Sequence, residues 1–329
     1  MLIRESGTPP FLDIVLYGKY DRLTGFKTME ISAPKEWFEF SDALREQKGT
    51  AILLGATDTG KSTLAKFLIS HLCQRGLKVG LVDADIGQSF LGPPATIGLS
   101  LFKSHPNGEV ILSPPEIFFV GSTTPEGHFA IHLKGVKRMM DKASSYGPDV
   151  ILVDTTGFVS GEAGKELKRR KIDLISPSFI LTLQKGEELE PILEPYNRNP
   201  SYKIHRLPLS EQVRTKSPEE RRMNRTNKFR DYFKYSAVQE LAIKGLQIEG
   251  EVLDPNGAPL PLQWALKMSS LLIGLKDEND ETLALALTKH YFQEKRMLRL
   301  STPLQEIQKV KTIQLSSLRL LLLFEEDNP

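Results

Sequence analysis

The sequence predicts an α/β fold, a mostly parallel sheet covered by helices. Three observations point there. Between about residue 49 and residue 210, short apolar runs alternate with segments of helical periodicity. One glycine-rich run stands directly between an apolar strand and a helix. The 329 residues are 40% hydrophobic and 26% charged, as in an ordinary soluble protein, so a sizeable core can form and general disorder is excluded.

The elements follow in chain order. Residues 1–36 carry two β-like runs, Leu12–Tyr17 and Phe26–Ile31, with Gly18 and Gly25 at the turns, which predicts a short amino-terminal β element. After Pro34, the residues Trp37, Phe38, Phe40 and Leu44 predict a helix. Ala51–Leu54 reads as a buried strand, and Ser62–Arg75 as a helix with Leu64, Phe67, Leu68 and Leu72 on one face. Further strands are expected at Val79–Val82, Ile117–Val120, Val150–Val153 and Phe179–Leu183. Helices are expected at His128–Ser145, with Met139 and Met140 in the core, and at Gly161–Lys171. Residues 211–235 are polar, helical and rich in arginine; beyond Ser236 the pattern turns strand-like. The expected domains are therefore 1–36, a main domain over 37–235 that includes the 211–233 segment, and a small, mostly β domain over 236–329.

Several function classes drop out. No run approaches the ~20 apolar residues of a membrane span, and the charged amino terminus lacks a signal core. A single cysteine, Cys73, permits no internal disulfide or zinc site and points to a reducing cytoplasm. The six histidines show no ligand spacing. A net charge of +2 does not by itself indicate nucleic acid.

The run Gly55-Ala56-Thr57-Asp58-Thr59-Gly60-Lys61-Ser62 fits GxxxxGK[ST], between strand and helix as the motif requires, and is followed by Thr63. Glycines let successive backbone N–H groups turn inward around an anion, and the helix terminus adds partial positive charge. Lys61 can reach the β- and γ-phosphates, and Ser62 offers a hydroxyl to Mg²⁺. The fold is thus expected to be that of a P-loop NTPase binding ATP or GTP. Asp83 and Asp85 end one strand and Asp154 another. Carboxylates there face the nucleotide crevice and can hold Mg²⁺ or orient a nucleophile; a helix cap or turn former is the competing reading.

Five runs occur in order: GATDTGKST (55–63), VDADIGQSFLGPPATIGL (82–99), FVGSTTPEGH (119–128), DTTGFVSG (154–161) and RRMNRTNKFRDYF (221–233). Together, and with PKEW (34–37) ahead of them, they resemble the polynucleotide 5′-hydroxyl kinase family over roughly residues 34–235. The carboxy-terminal region resembles that family only loosely. The resemblance implies transfer of the γ-phosphate of ATP or GTP to a 5′-OH end of RNA or DNA. It implies that Gly55 to Thr63 hold the triphosphate and metal, that Asp85 or Asp83 accepts the proton, and that Gln88 lies near the substrate end. Thr123 and Thr124 would form a clasp, and Arg222 and Arg225 a lid that neutralises developing charge. Phe158 stands where eukaryotic members carry a Trp that stacks on a terminal base; a core phenylalanine is the alternative.

Basic clusters at 165–171 and 213–230 suit phosphate contact, with solvated helix faces as the competing reading. Two rival functions stay open: a switch-type P-loop NTPase, and a silent nucleotide-binding module of an RNA-processing assembly. No protein partner is named by the sequence.

Overall fold

The computed structural model describes residues 33–104 and 110–320; the β-like runs expected at Leu12–Tyr17 and Phe26–Ile31 lie outside them. The chain divides into two compact units. The first takes the chain up to Asp85, Gly98–Pro115 and Phe129–Lys216; the second takes Ile86–Ile97, Glu116–His128 and the chain from Ser217 on.

Unit 1 begins with α1 (Lys35–Gln47), β1 (Gly49–Gly55), α2 (Lys61–Cys73), β2 (Val79–Ala84), most of β3 (Thr96–Ser104) and β4 (Val110–Leu112). β5 (Glu116–Phe119) belongs to unit 2. Unit 1 resumes with α3 (Phe129–Ser145), β6 (Val150–Thr155), α4 (Gly161–Ile175), β7 (Phe179–Leu183), α5 (Glu190–Leu193) and β8 (Lys203–Arg206). Its strands run β3-β2-β6-β1-β7-β8, with β4 paired to β3. The β2–β6, β6–β1, β1–β7 and β7–β8 pairs are parallel; β3 is antiparallel to β2.

The central strands are apolar over most of their length and buried, the usual fate of a parallel sheet. Val79, Leu81 and Val82 of β2, Ile52 to Leu54 of β1 and Leu152 and Val153 of β6 are all buried. On α2 the predicted stripe Leu64, Phe67, Leu68 and Leu72 is buried as expected. Trp37 of α1 is fully buried and donates its indole N–H to the Pro208 carbonyl at 2.9 Å. Met139 and Met140 are core residues, and so is Cys73, whose thiol burial pushes up to about 12, far from a reactive thiolate.

Unit 2 contains α6 (Pro218–Phe233), β9 (Ala237–Ala242), β10 (Gln247–Glu249), α7 (Leu262–Lys267), β11 (Leu272–Lys276), β12 (Thr282–Phe292), β13 (Met297–Thr302) and β14 (Thr312–Gln314), besides β5. Most pairings are antiparallel: β5–β12, β11–β12, β12–β13, β13–β9 and β11–β14. Its core gathers Leu271, Ile273, Leu275, Ala286, Leu298, Leu300 and Ile313. Trp264 of α7 is 69% exposed.

Three expectations change. The Ile117–Val120 run reads as a strand of the mostly parallel sheet, yet β5 pairs antiparallel with β12 in unit 2. The units part at 216–217, not at 235–236, and unit 2 also takes 86–97 and 116–128. The arginine-rich helix starts at Pro218, not at 211. Ser217 sets that start: its hydroxyl accepts from Glu220 N at 3.1 Å and its own N–H donates to Glu220 Oε2 at 2.7 Å, a capping box.

Candidate active site

β1 ends at Gly55 and α2 opens at Lys61. The turn between them needs two left-handed residues, Asp58 at φ 56 and Gly60 at φ 88, which aim successive amides toward one point. Space is tight: a Cβ on Gly55 would lie 2.6 Å from the Leu183 carbonyl oxygen. Thr59 is buried and donates to the Ala56 carbonyl at 3.0 Å, while Thr57 is exposed. Lys61 is only 6% exposed and its ammonium donates to the Ala56 carbonyl at 2.7 Å. Burial lowers its pKa, and Asp154, Asp85 and Asp58 oppose that shift. Ser62 and Thr63 are half-buried on the first turn of α2.

Asp154 is the penultimate residue of β6, beside β1. Its Oδ2 accepts from Ser62 Oγ at 2.5 Å, and its Oδ1 is buried with no hydrogen-bond partner among the described residues. Neither oxygen caps a helix, so the cap reading falls away. Burial raises the Asp154 pKa, and Asp83, directly opposite in the β2–β6 register, raises it further. A buried carboxyl with one orphaned oxygen, a like charge next to it and a serine hydroxyl on its other oxygen fits a divalent cation. Among the described residues no group of three His, Cys, Asp or Glu is placed to hold a metal. Ser62 and Asp154 would therefore share such an ion with oxygens from phosphate and water.

Asp83 is fully buried, and its Oδ1 accepts the backbone N–H of Asp85 at 3.1 Å. Asp85 is half-buried at the end of the first segment of unit 1. The 154–157 turn closes onto the P-loop: a Cβ on Gly157 would sit 2.6 Å from both Thr57 Cα and Thr57 N. Phe158 is half-buried, edge-on to Phe129 with ring centroids 6.3 Å apart, and is not a core residue.

The remaining expected residues lie in unit 2. Gln88 Nε2 donates to the Gly87 carbonyl at 2.9 Å and the Arg221 carbonyl at 3.2 Å, joining the 86–97 loop to α6. Thr123 is half-buried and Thr124 exposed; Ser122 Oγ donates to the Thr124 carbonyl at 2.8 Å and shapes this turn. On α6, Arg222 is exposed and Arg225 half-buried. The helix is less free than its polar sequence suggests. Phe229 and Phe233 pack with Ala95, Phe119, Leu272, Leu285 and Leu287, and Tyr232 Oη accepts from Leu285 N at 2.8 Å.

The basic cluster 165–171 is not one continuous solvated face. Lys168 and Lys171 are fully buried. Lys165 and Arg170 pair with Glu162 and Glu166, and Arg169 donates to the Pro191 carbonyl. Sequence reasoning missed Lys168, which lies under the 155–156 turn, and a signal was present. Gly164, Leu167, Lys168, Lys171 and Ile172 form one helical stripe, so the two lysines occupy core positions. The sequence places 211–216 in the arginine-rich segment but gives no sign that Lys216 N donates to Asp58 Oδ2 of the P-loop, at 3.0 Å.

Comparison with known proteins agrees with this geometry. Residues 55–235 match the family described as mRNA cleavage and polyadenylation factor CLP1 P-loop. A protein of Methanocaldococcus jannaschii named polyribonucleotide 5′-hydroxyl-kinase is 37% identical over 227 residues, 68% of this chain and 61% of that protein, so the match spans less than two thirds of its length. One of Pyrococcus furiosus with the same designation is 31% identical over 313 residues, 82% of this chain and 86% of that protein. The solved structure of the wild-type Clp1p–Pcf11p complex shares the fold, with TM-score 0.67 and 16% identity over 88% of this chain and 80% of that chain. With its P-loop, its strand-end carboxylates and its arginine-rich helix all inside the matched span, the chain belongs to the CLP1 P-loop family.

Proposed function

We propose that this chain is a polynucleotide 5′-hydroxyl kinase that moves the γ-phosphoryl group of ATP or GTP to the 5′-OH end of RNA or DNA. One observation carries the reading: beside the Ser62–Asp154 pair, β2 brings a second pair of carboxylates, Asp83 and Asp85, to the carboxyl end of the sheet. A nucleotide switch uses the first pair alone. A kinase also needs a group to take a proton from the acceptor. The names of the archaeal relatives support the same choice.

In this reading the amides of residues 55–60, with Lys61 and the flanking Thr63, grip the triphosphate. Mg²⁺, held through Ser62 and Asp154, supplies charge neutralisation on the phosphates. Asp85 accepts the proton of the 5′-hydroxyl, whose oxygen bonds to the γ-phosphorus as the bond to the β–γ bridging oxygen breaks and the nucleoside diphosphate leaves. Asp83 fixes Asp85 through the Asp85 N–H. Phe158 stacks on the terminal base. Gln88, Thr123 and Thr124 serve the substrate end, and Arg222 and Arg225 neutralise the charge that builds on the phosphoryl group. The buried, inert Cys73 suits the cytoplasm, and no described helix is long and apolar enough to cross a membrane.

The test incubates the protein with γ-labelled ATP or GTP, Mg²⁺ and a 5′-OH RNA or DNA oligonucleotide. Label on the oligonucleotide is the expected result. Label released only as free phosphate would select the switch, and bound nucleotide without turnover the silent module.

A further inference from the structure

Lys168 is fully buried in the middle of α4, yet it makes no ion pair with a carboxylate among the described residues. Its Nζ donates instead to Thr155 Oγ1 at 2.9 Å, to the Thr156 carbonyl and to Thr156 Oγ1 at 3.3 Å. Thr155 Oγ1 in turn donates to the Leu53 carbonyl of β1 at 2.8 Å. One amine therefore ties the residues after Asp154 both to each other and to the strand that feeds the P-loop. The next residue, Gly157, is the one pressed against Thr57.

Burying an ammonium is expensive, and nothing in the packing of α4 requires one. Burial pulls the Lys168 pKa well below the ordinary lysine value, and the neighbouring Lys171 lowers it further. An apolar side chain of similar length would fill the same stripe at lower cost. Lys171, one turn on and equally buried, has no hydrogen-bond partner on its Nζ among the described residues. The two lysines share burial and nearby charge and differ in what they hold.

We propose that Lys168 is a positioning residue for phosphoryl transfer: its three hydrogen bonds lock the 155–157 turn, and through it the Asp154 carboxylate and the Gly157–Thr57 contact, in the catalytic arrangement. This rests on the kinase reading. A rigid turn matters there because a metal-binding carboxylate that shifts by a fraction of an ångström no longer matches the geometry of the transition state. A merely structural lysine would instead be felt in stability.

The test compares Lys168→Met with Lys171→Met in the full chain. Three quantities are read: thermal midpoint, nucleotide Kd measured without Mg²⁺, and kcat for transfer to a 5′-OH oligonucleotide. A fourth readout, amide hydrogen exchange of residues 154–160 without ligand, is independent of activity. For Lys168→Met the midpoint stays level or rises and Kd changes less than about threefold. Its kcat falls tenfold or more, and exchange over 154–160 speeds up. For Lys171→Met kcat stays within about threefold and exchange is unchanged.

The proposal is overturned if Lys168→Met keeps wild-type kcat, if both variants lose kcat equally, or if exchange over 154–160 does not respond. An inactive wild type would count against the kinase reading alone, because the exchange comparison still decides whether Lys168 holds the turn.

Discussion

Gly157→Ala puts a single methyl group where the 154–157 turn meets the P-loop. The new Cβ would lie 2.4 Å from Thr57 Oγ1 and 2.6 Å from both Thr57 N and Cα. The hydroxyl can rotate away, but the backbone atoms cannot. Ordinary contact begins near 3.4 Å, so the turn and the loop must part by about 0.8 Å. Overpacking of this kind costs about 1–3 kcal/mol. For a unit of this size the middle of that range lowers the melting midpoint by roughly 4–8 °C. The effect on catalysis should be larger in proportion, since ~1 Å of misplacement costs about 10²-fold in rate. The assay is kcat with a saturating 5′-OH oligonucleotide, alongside a thermal melt. Gly186→Ala is the control: it is exposed, and the nearest atom to its added Cβ is Glu188 Oε2 at 3.6 Å. If Gly157→Ala melted with wild type and turned over within twofold of it, the turn would not be pressed on the loop.

Three further outcomes are expected. Phe158→Ala weakens oligonucleotide affinity by ~1–3 kcal/mol with little change in nucleotide affinity, measured by direct titration; equal affinities for both proteins would remove the stacking role. Arg222→Lys and Arg225→Lys keep the charge but lose the planar fork of donors, so each lowers kcat well beyond any change in nucleotide Kd; full activity in both would mark a solvated helix face. Glu190 is held at about 2, first by the Arg206 guanidinium and then by Gln184, so its contribution is present above the ordinary carboxylate pKa of 4.5 and is lost as pH falls toward 2. The pair is largely solvent-exposed, which keeps that contribution under about 1 kcal/mol. Melting curves of wild type and Glu190→Gln should differ at pH 7 and converge near pH 2, and a gap that persists at pH 2 would assign the difference to packing.

Local pattern carried the sequence reading where chemistry is local. Strand, glycine-rich turn and helix are contiguous from Ala51 to Cys73, and the aspartates follow directly on apolar runs, so each can be seen in a window of a few residues. Pairing partners lie far apart in sequence and leave no such trace. The run at 117–120 has the composition of a central parallel strand, yet β5 finds its partner in β12, more than 160 residues later. β3 escaped notice because Gly98 and Ser100 break its apolar run, although it is buried over most of its length. The cluster at 165–171 looked like a charged surface because charge is normally solvated. Only the spacing of Gly164, Leu167, Lys168, Lys171 and Ile172 reveals a core-facing stripe. For α6 the five basic residues concealed how firmly Phe229 and Phe233 anchor its carboxyl end.

The two tryptophans of this chain fall one to each unit: Trp37, wholly buried, in the first and Trp264, 69% exposed, in the second. They amount to a built-in pair of optical reporters. Trp37 emits from an apolar setting, at short wavelength and shielded from a soluble quencher such as acrylamide; Trp264 emits at long wavelength and is readily quenched. Trp37→Phe and Trp264→Phe variants would each leave one signal. A denaturant titration followed in both would then show whether the nucleotide-binding unit and the β-rich unit melt together or in sequence. Addition of nucleotide should delay the transition seen by Trp37, because a ligand stabilises the unit that binds it.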